Sequence, residues 1–450
     1  MAMGKREAER QQELFVTADK LPRSPGHIFY VKLNQLLADA EFDRWVEALC
    51  EPHYAARKGR PSVPPGTYFR MLFVGYFEGL NAQRAIAWRC SDSLSIRTFL
   101  GVALVDDTPD HSSLSYIRDR LPLDVHQQVF VKILAIAQDK KLLKGKTVAV
   151  DSTTLEANAA MKSIVRRDTG EDWNDYLTGL MKAEGLVAAD ATPSAEELQR
   201  FDRTRKNKKV SNAEWMSPND PDSRITRMKD GTTHLAYKAE HVVDLDTEMI
   251  VAAEIYHADQ HDTRTLEDSV HQAQVNQIEA GNEQDIEDVV ADKGYHSAEA
   301  LTEIAEHTPY RTYVPEPKRP HGSTWTDKPA EYQKAVVANR RRTRGARGKK
   351  LQRLRSERVE RSFAHVCETG GARRTWLTGI DKVRKRYMLS AAAHNLGCLM
   401  RALFHMGTPR GLQQFKMDLE GVVAGAIMCV HLAWLTIRGP IRSHPAHLAA

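Results

Sequence analysis

Five cysteines in 450 residues, Cys50, Cys90, Cys367, Cys398 and Cys429, are too few and too scattered for a disulfide framework. With no C-x-x-C pair among them, a zinc ribbon is not indicated either, and the pattern fits a reducing compartment. The first fifteen residues, MAMGKREAERQQELF, are charged throughout and lack the apolar stretch of a secretory signal. The sequence also lacks an apolar run of the roughly 20 residues that a bilayer span needs. Its longest, residues 422–437, has 16, is interrupted by His431, and reads as a buried helix. A cytoplasmic protein with no membrane partner is therefore expected. At 42 % hydrophobic and 27 % charged residues the chain is ordinary for a globular protein, and its length allows two or three domains with a sizeable core.

A net charge of +5 looks modest until it is located. Residues 340–361 carry eleven Lys and Arg against two glutamates, Glu357 and Glu360, a net of +9, so the remainder of the chain sums to −4. Such a concentration is either a solvated basic linker or a surface for a phosphate backbone.

Two short stretches repeat one arrangement. In KTVAVDSTTLEAN, residues 146–158, the run Thr147, Val148, Ala149, Val150 reads as a buried strand that ends at Asp151. In DVVADKGY, residues 288–295, a second apolar strand ends at Asp292 and passes through Gly294 into a polar helix start. One aspartate at a strand end either caps a turn or reaches into a site. Two such strands are what a two-metal site needs, because ligands gather at strand ends in α/β sheets.

In chain order, residues 1–25 read as a flexible lead-in and residues 26–140 as an all-α region. Within it, Asp110 or Thr108 can cap a helix begun by Pro109. Several short helices with outward arginines make either a helix-turn-helix-like DNA reader or an ordinary helical core. Residues 156–231 are polar, with weak periodicity, and read as an insertion between strands. Residues 233–246 and 249–257 predict an antiparallel hairpin, residues 262–281 a helix, 288–292 a strand, 297–307 a helix and 310–314 a fifth strand. That order fits a mixed sheet with an antiparallel edge. Helices are expected at 352–367, with Val359, Phe363 and Val366 buried, and at 378–403, followed by a helical tail over 405–450.

Three of these stretches, VAVDSTTLEAN, VVADKGYHS and SERVERSFAHV, in that order, resemble the DDE transposases of bacterial insertion sequences, the branch typified by insertion sequences 5 and 1182. TPDHSSLSYIRDRL resembles the end of that family's helical N-terminal domain, HADQHDT the loop after its third strand, and residues 379–399 its closing helix. The resemblance implies an α/β, RNase H-like catalytic domain over residues 141–404, a mixed five-stranded sheet with flanking helices and an insertion, preceded by the all-α domain. It implies Asp151, Asp292 and Glu360 as catalytic, metal-binding residues. The chemistry asks for such a set: cutting a phosphodiester needs a stronger nucleophile and a stabilised leaving alkoxide, and two Mg²⁺ ions about 3.5–4 Å apart supply both. Carboxylates are suitable ligands for so hard an ion, for which Mn²⁺ can substitute.

Glu357 lies one turn before Glu360 and can pair with Arg361, so either glutamate can be a surface residue; the V-E-R-x-F setting favours Glu360. Related transposases often carry a basic residue seven positions on, where this chain has Cys367; Arg361, Arg373 or Arg374 can substitute. His296 either contacts phosphate or supports its turn, and His257 with His261 at a strand end is a poor setting for zinc. The DNA-binding candidates are Arg340, Arg341, Arg342, Arg344, Arg347, Lys349, Lys350 and Arg361. The expected partners are double-stranded DNA, as terminal inverted repeats and target, and further copies of the chain in a homodimer or larger synaptic assembly at the nucleoid. The rival readings are a transposase-derived DNA-binding protein without cleavage and a metal-dependent nuclease without strand transfer.

Overall fold

The computed structural model describes residues 26–55, 62–206, 210–228, 231–318, 325–326 and 328–411. The expected lead-in at 1–25 and the tail beyond 411, with its apolar run at 422–437, lie outside the described residues. Among those that are described, no helix is long and apolar enough to cross a membrane.

The N-terminal region is helical: α1 (Ile28–Asp39), α2 (Phe42–Cys50), α3 (Pro65–Glu78), α4 (Gln83–Asp92), α5 (Leu94–Leu100), α6 (His111–Arg120) and α7 (Leu123–Asp139). The chain breaks between α4 and α5 because the Ser93 hydroxyl accepts from the amide of Ile96 and starts a new helix. Asp110 caps α6 through the amide of Ser112. At the centre of this region the buried Arg70 guanidinium reaches both carboxylate oxygens of Asp43, at 2.8 and 2.7 Å, the Asn34 side chain and the Phe99 carbonyl. One cation with four of its five N–H groups bonded thus ties α1, α2, α3 and the end of α5 together, as burial of a charge requires.

The second region holds β1 (Thr147–Glu156), β2 (Val165–Arg166), α8 (Trp173–Ala183), α9 (Ala195–Thr204), β3 (Trp215–Met216), β4 (Arg224–Arg227), β5 (Thr233–Asp244), β6 (Ile250–His257), α10 (Asp262–Glu279), β7 (Asp288–Ala291), α11 (Ala298–His307), β8 (Arg311–Tyr313), α12 (Ala330–Arg344), α13 (Ala346–Phe363) and α14 (Ile380–Phe404). The main sheet runs β4-β5-β1-β7-β8, with β6 also on β5. β5 is antiparallel to β1, β4 and β6, whereas β7 is parallel to both β1 and β8. The sheet is mixed and flanked by helices, as the resemblance implies. It has six strands rather than five, because β4, contributed by the insertion, pairs with the first residues of β5, ahead of the stretch that β6 covers. The rest of the insertion forms the β2–β3 pair and a satellite core of Leu177, Met181, Leu198 and Phe201 under α8 and α9.

α14 is the seam between the two regions. It packs on α3 and α7 on one side and on β6 on the other, where the Asn395 side chain exchanges two hydrogen bonds with the backbone of Ile250. The basic stretch is not a linker: it is helical through α12 and α13, so the helix expected from residue 352 begins at Ala346. Beyond α13 the chain continues as a π-helical turn, Ala364–Thr369.

Buried histidines give the fold an acid limit. His126, in the core of the helical region, stands 3.0 Å from the Pro122 carbonyl and 3.3 Å from the Tyr68 hydroxyl, and burial holds it down at about 4. A proton therefore goes to the unfolded chain first, so stability that is complete above pH 6.5 falls as the pH drops towards 4, by on the order of 3 kcal/mol for this group. Urea midpoints at pH 7 and pH 4.5 measure this loss, which shrinks in His126→Gln; an equal loss in that variant would contradict the assignment.

Candidate active site

β1 and β7 run parallel and in register from Thr147 opposite Asp288 to Val150 opposite Ala291. The next residues are Asp151 and Asp292, so both carboxylates arrive side by side, one step beyond the last paired rung. β7 stops there because Asp292 turns the chain: its carboxylate accepts from the amide of Lys293, 2.6 Å away, and starts a 3₁₀ turn over Lys293–Tyr295. β1 does not end at Asp151 as its sequence predicted. It continues to Glu156 along β5, leaving Asp151 at a notch in the sheet where its neighbour has departed. A notch beyond the C-terminal end of a parallel strand is where ligands of α/β sheets gather.

The notch is closed by α13. Gln352 Nε2 donates to the carbonyls of Ala291 and Tyr313, at the ends of β7 and β8. Nearly three turns on, Ser362 Oγ lies 2.8 Å from His241 Nδ1, and the Phe363 ring stacks on His241 at 4.1 Å. Those contacts fix the rotation of the helix and turn Arg355 onto the aspartates. Its guanidinium is 2.6 Å from Asp151 Oδ2 and 4.0 Å from Asp292 Oδ1, and only 11 % of the side chain is exposed. The other Asp151 oxygen accepts from the amide of Ser152 at 2.8 Å.

Glu360 does not join this pair. It lies five residues after Arg355, roughly 140° round the helix, is exposed, and accepts a hydrogen bond from Ser356 at 2.9 Å. Glu357 is exposed too and pairs with Arg361 at 2.6 Å. Among the described residues, no group of three or more His, Cys, Asp and Glu is placed to hold a metal ion. The two aspartates by themselves fit one: they already share a single cationic group, and their oxygens suit a hard divalent ion.

Behind the notch lies a cluster that sequence reasoning missed. Lys238 Nζ sits between Glu240, 3.2 Å away, and Asp262, 2.7 Å away. Glu240 is fully buried and also accepts from Thr265 and from the Tyr295 hydroxyl, both at 2.8 Å; burial raises its carboxyl above the usual range, opposed by Lys238. Ser152, next to Asp151, donates to Asp262 at 3.0 Å, and Tyr295 belongs to the turn after Asp292, so both aspartates are backed by one bonded network. A Cβ on Gly294 would come within 2.9 Å of Asp262 Oδ2, so any larger residue there would displace that carboxylate. The signal was present in HADQHDT, which contains Asp262, but its link to Lys238 spans 24 residues and no local pattern marks it.

The eight DNA-binding candidates divide. Arg340 is held by Glu316 at 2.8 Å, Arg342 by the Thr312 carbonyl at 3.0 Å, Arg347 by the buried Asp288, and Arg361 by Glu248 at 2.6 Å. Arg341, Arg344, Lys349 and Lys350 are exposed and make no ion pair among the described residues. His296 is near Glu316, at 3.9 Å, and His257 bonds to the Asp222 carbonyl. Cys367 is buried against the Tyr387 hydroxyl, while Arg373 bonds to Glu368 and Thr153, and Arg374 lies 3.7 Å from Glu156.

A mixed sheet that sets two aspartates side by side, behind a helical region, is the frame on which the comparison with known families bears. Residues 16–120 match the family model described as a transposase domain (DUF772), and residues 181–396 match that of the transposase DDE domain. The chain belongs to the DDE transposases of insertion-sequence type. None of the curated proteins matches it. The DDE match contains Asp292 and Glu360 but begins after Asp151, whose place rests on its register with β7. Membership implies DNA binding and dependence on a divalent metal.

Arg355→Gln leaves two neighbouring carboxylates without their shared counter-charge. In metal-free buffer it is expected to lower stability by about 1–2 kcal/mol, discounted because Asp292 is nearly half exposed. A urea midpoint equal to the native one would contradict that role.

Proposed function

We propose that this transposase binds the terminal inverted repeats of its own insertion sequence, cuts DNA at their ends and joins those ends to a target, within the branch typified by insertion sequences 5 and 1182. The observation that carries the reading is the pair Asp151 and Asp292, set side by side by the β1–β7 register and sharing one cationic group. In this reading Asp151, Asp292 and Glu360 hold Mg²⁺, two ions per site, or Mn²⁺ in its place. When bound, such ions strengthen a nucleophile and stabilise a leaving alkoxide. For these residues to hold the ions, Arg355 would have to release Asp151, and Glu360 would have to leave Ser356 and be turned towards the notch. A guanidinium so released would lie beside the aspartates, where it could bind a phosphate oxygen of the strand being cut.

Residues 26–140 serve DNA recognition and residues 141–404 the chemistry. Arg341, Arg344, Lys349 and Lys350 are free to meet the phosphate backbone, and α13 carries both lysines and Arg355, so a duplex held there is directed to the notch. Two DNA ends have to be held together, which calls for at least two copies of the chain. A second reading, DNA binding without cutting, is favoured by one observation: Arg355 neutralises the aspartates while Glu360 bonds elsewhere.

Cutting of a duplex that carries the element's own terminal repeat decides between them. Mg²⁺-dependent cutting by the native chain, lost by more than about a thousandfold in Asp151→Asn and in Glu360→Gln with binding retained, is the expected result. Persistence of cutting in Asp151→Asn would contradict the reading, and loss in Glu357→Gln alone would move the third ligand one turn back. Neutralising Arg341, Arg344, Lys349 and Lys350 together is expected to reduce the slope of log affinity against log salt by about 3 to 4. An unchanged slope would take these helices away from DNA.

A further inference from the structure

A cavity of about 330 Å³ lies between the two regions, lined by α3, α4 and α6 from one and by α14 and the segment at 370–377 from the other. That is within the roughly 300–1,000 Å³ of small-ligand sites. Much of its wall is apolar, including Tyr76, Ile86 and Leu389, but Arg84, Arg118, Lys385 and Arg386 also line it. Among its described lining residues none is acidic.

These cations are poorly compensated. Arg118 is 9 % exposed and its Nε has no hydrogen-bond partner; the Asp119 carboxylate, 3.5 Å away, is shared with Lys382. Lys385, also 9 % exposed, donates to the backbone carbonyl of Arg118, and Arg386 Nη2 donates to that of Gly371. Burial, with Arg118 beside it, pulls Arg386 down to about 10, and burial lowers Lys385 as well, opposed only in part by Asp119 and Asp381. Charges so placed are stabilised by an anion that enters beside them.

The rest of the cavity selects the anion. Trp376 lines it with 48 % of its surface exposed, and Arg374, 5.0 Å from the ring centroid, holds one side of the indole. A planar group can stack on what remains open. A duplex is far too wide for such a cavity. The lining also connects to the candidate active site: the amide of Thr375 donates to the carbonyl of Glu156, the last residue of β1. Glu156 lies five residues beyond Asp151, about 17 Å along the strand.

We infer that this cavity binds a nucleotide unpaired from the DNA, its phosphate among Arg84, Arg118, Lys385 and Arg386 and its base against Trp376. The inference rests on DNA being the substrate, and it assigns to the seam between the two regions the task of holding a strand opened near the cut.

The test uses the full chain and reads the fluorescence of Trp376 as the difference between native protein and Trp376→Phe, without divalent metal. The probes are 5′-deoxyadenylate, a short single-stranded oligodeoxynucleotide and inorganic phosphate. Saturable quenching by the first two is expected, with inorganic phosphate weaker by about tenfold or more because it brings no base. Arg118→Gln and Arg84→Gln are each expected to weaken the oligonucleotide about tenfold; Arg84 is exposed, so its variant remains informative if the Arg118 variant fails to fold. No saturable signal with any probe would overturn the inference, as would inorganic phosphate binding as tightly as the nucleotide. A free nucleotide that binds where the single strand does not would make this a small-molecule site and overturn the DNA role. No cutting enters this readout, so its failure and the failure of the Asp151 assay are distinguishable.

Discussion

Two carboxylates brought to one edge of a sheet repel each other unless a positive charge lies with them, and in this chain that charge is Arg355. The parallel register of β1 and β7 leaves no freedom in the matter, because it delivers Asp151 and Asp292 at the same level. Everything that positions α13 therefore also serves the site. Gln352 satisfies carbonyls at the ends of β7 and β8, Ser362 and Phe363 hold His241, and Arg355 is between them in the helix. The bonds fixing the helix on the sheet are thus the ones that fix the charge on the aspartates.

The basic stretch has two duties that its sequence does not separate. Some of its arginines are structural, meeting acidic groups at the sheet's edge and beneath it: Arg347 shares the fully buried Asp288 with Arg311 of β8, and Arg358 and Arg361 share Glu248 with Arg401 of α14. Such pairs tie α13 to the strands and to α14. The cations left over, on the exposed faces of α12 and α13, are available to an outside polyanion. A net charge of +9 over residues 340–361 therefore overstates the surface available to DNA.

Much of the frame was legible because the signals are local. The runs Thr147 to Val150 and Asp288 to Ala291 are short, apolar and β-branched, each followed by an aspartate, and the hairpin of β5 and β6 is marked by two strand-like runs on either side of Thr247 and Glu248. What could not be read depends on distant partners. β1 outruns its apolar core because β5 is long enough to pair with Ser152, Thr153 and Thr154. β4 forms from a polar insertion because the start of β5 has an open edge. Glu360 could be placed on a helix by its neighbours, but the rotation of that helix is set by His241 and by the ends of β7 and β8. Lys238 reads as a surface lysine in a strand, and only the fold brings Glu240 and Asp262 to it.

The central claim, that Asp151 and Asp292 form a cation site whose resting counter-charge is Arg355, is tested most directly by anomalous scattering from crystals of the full chain grown with Mn²⁺. The account predicts manganese density against both aspartates, with Arg355 withdrawn from Asp151. Crystals of cutting-competent protein in which Arg355 still bonds to Asp151, with manganese bound elsewhere, would contradict it.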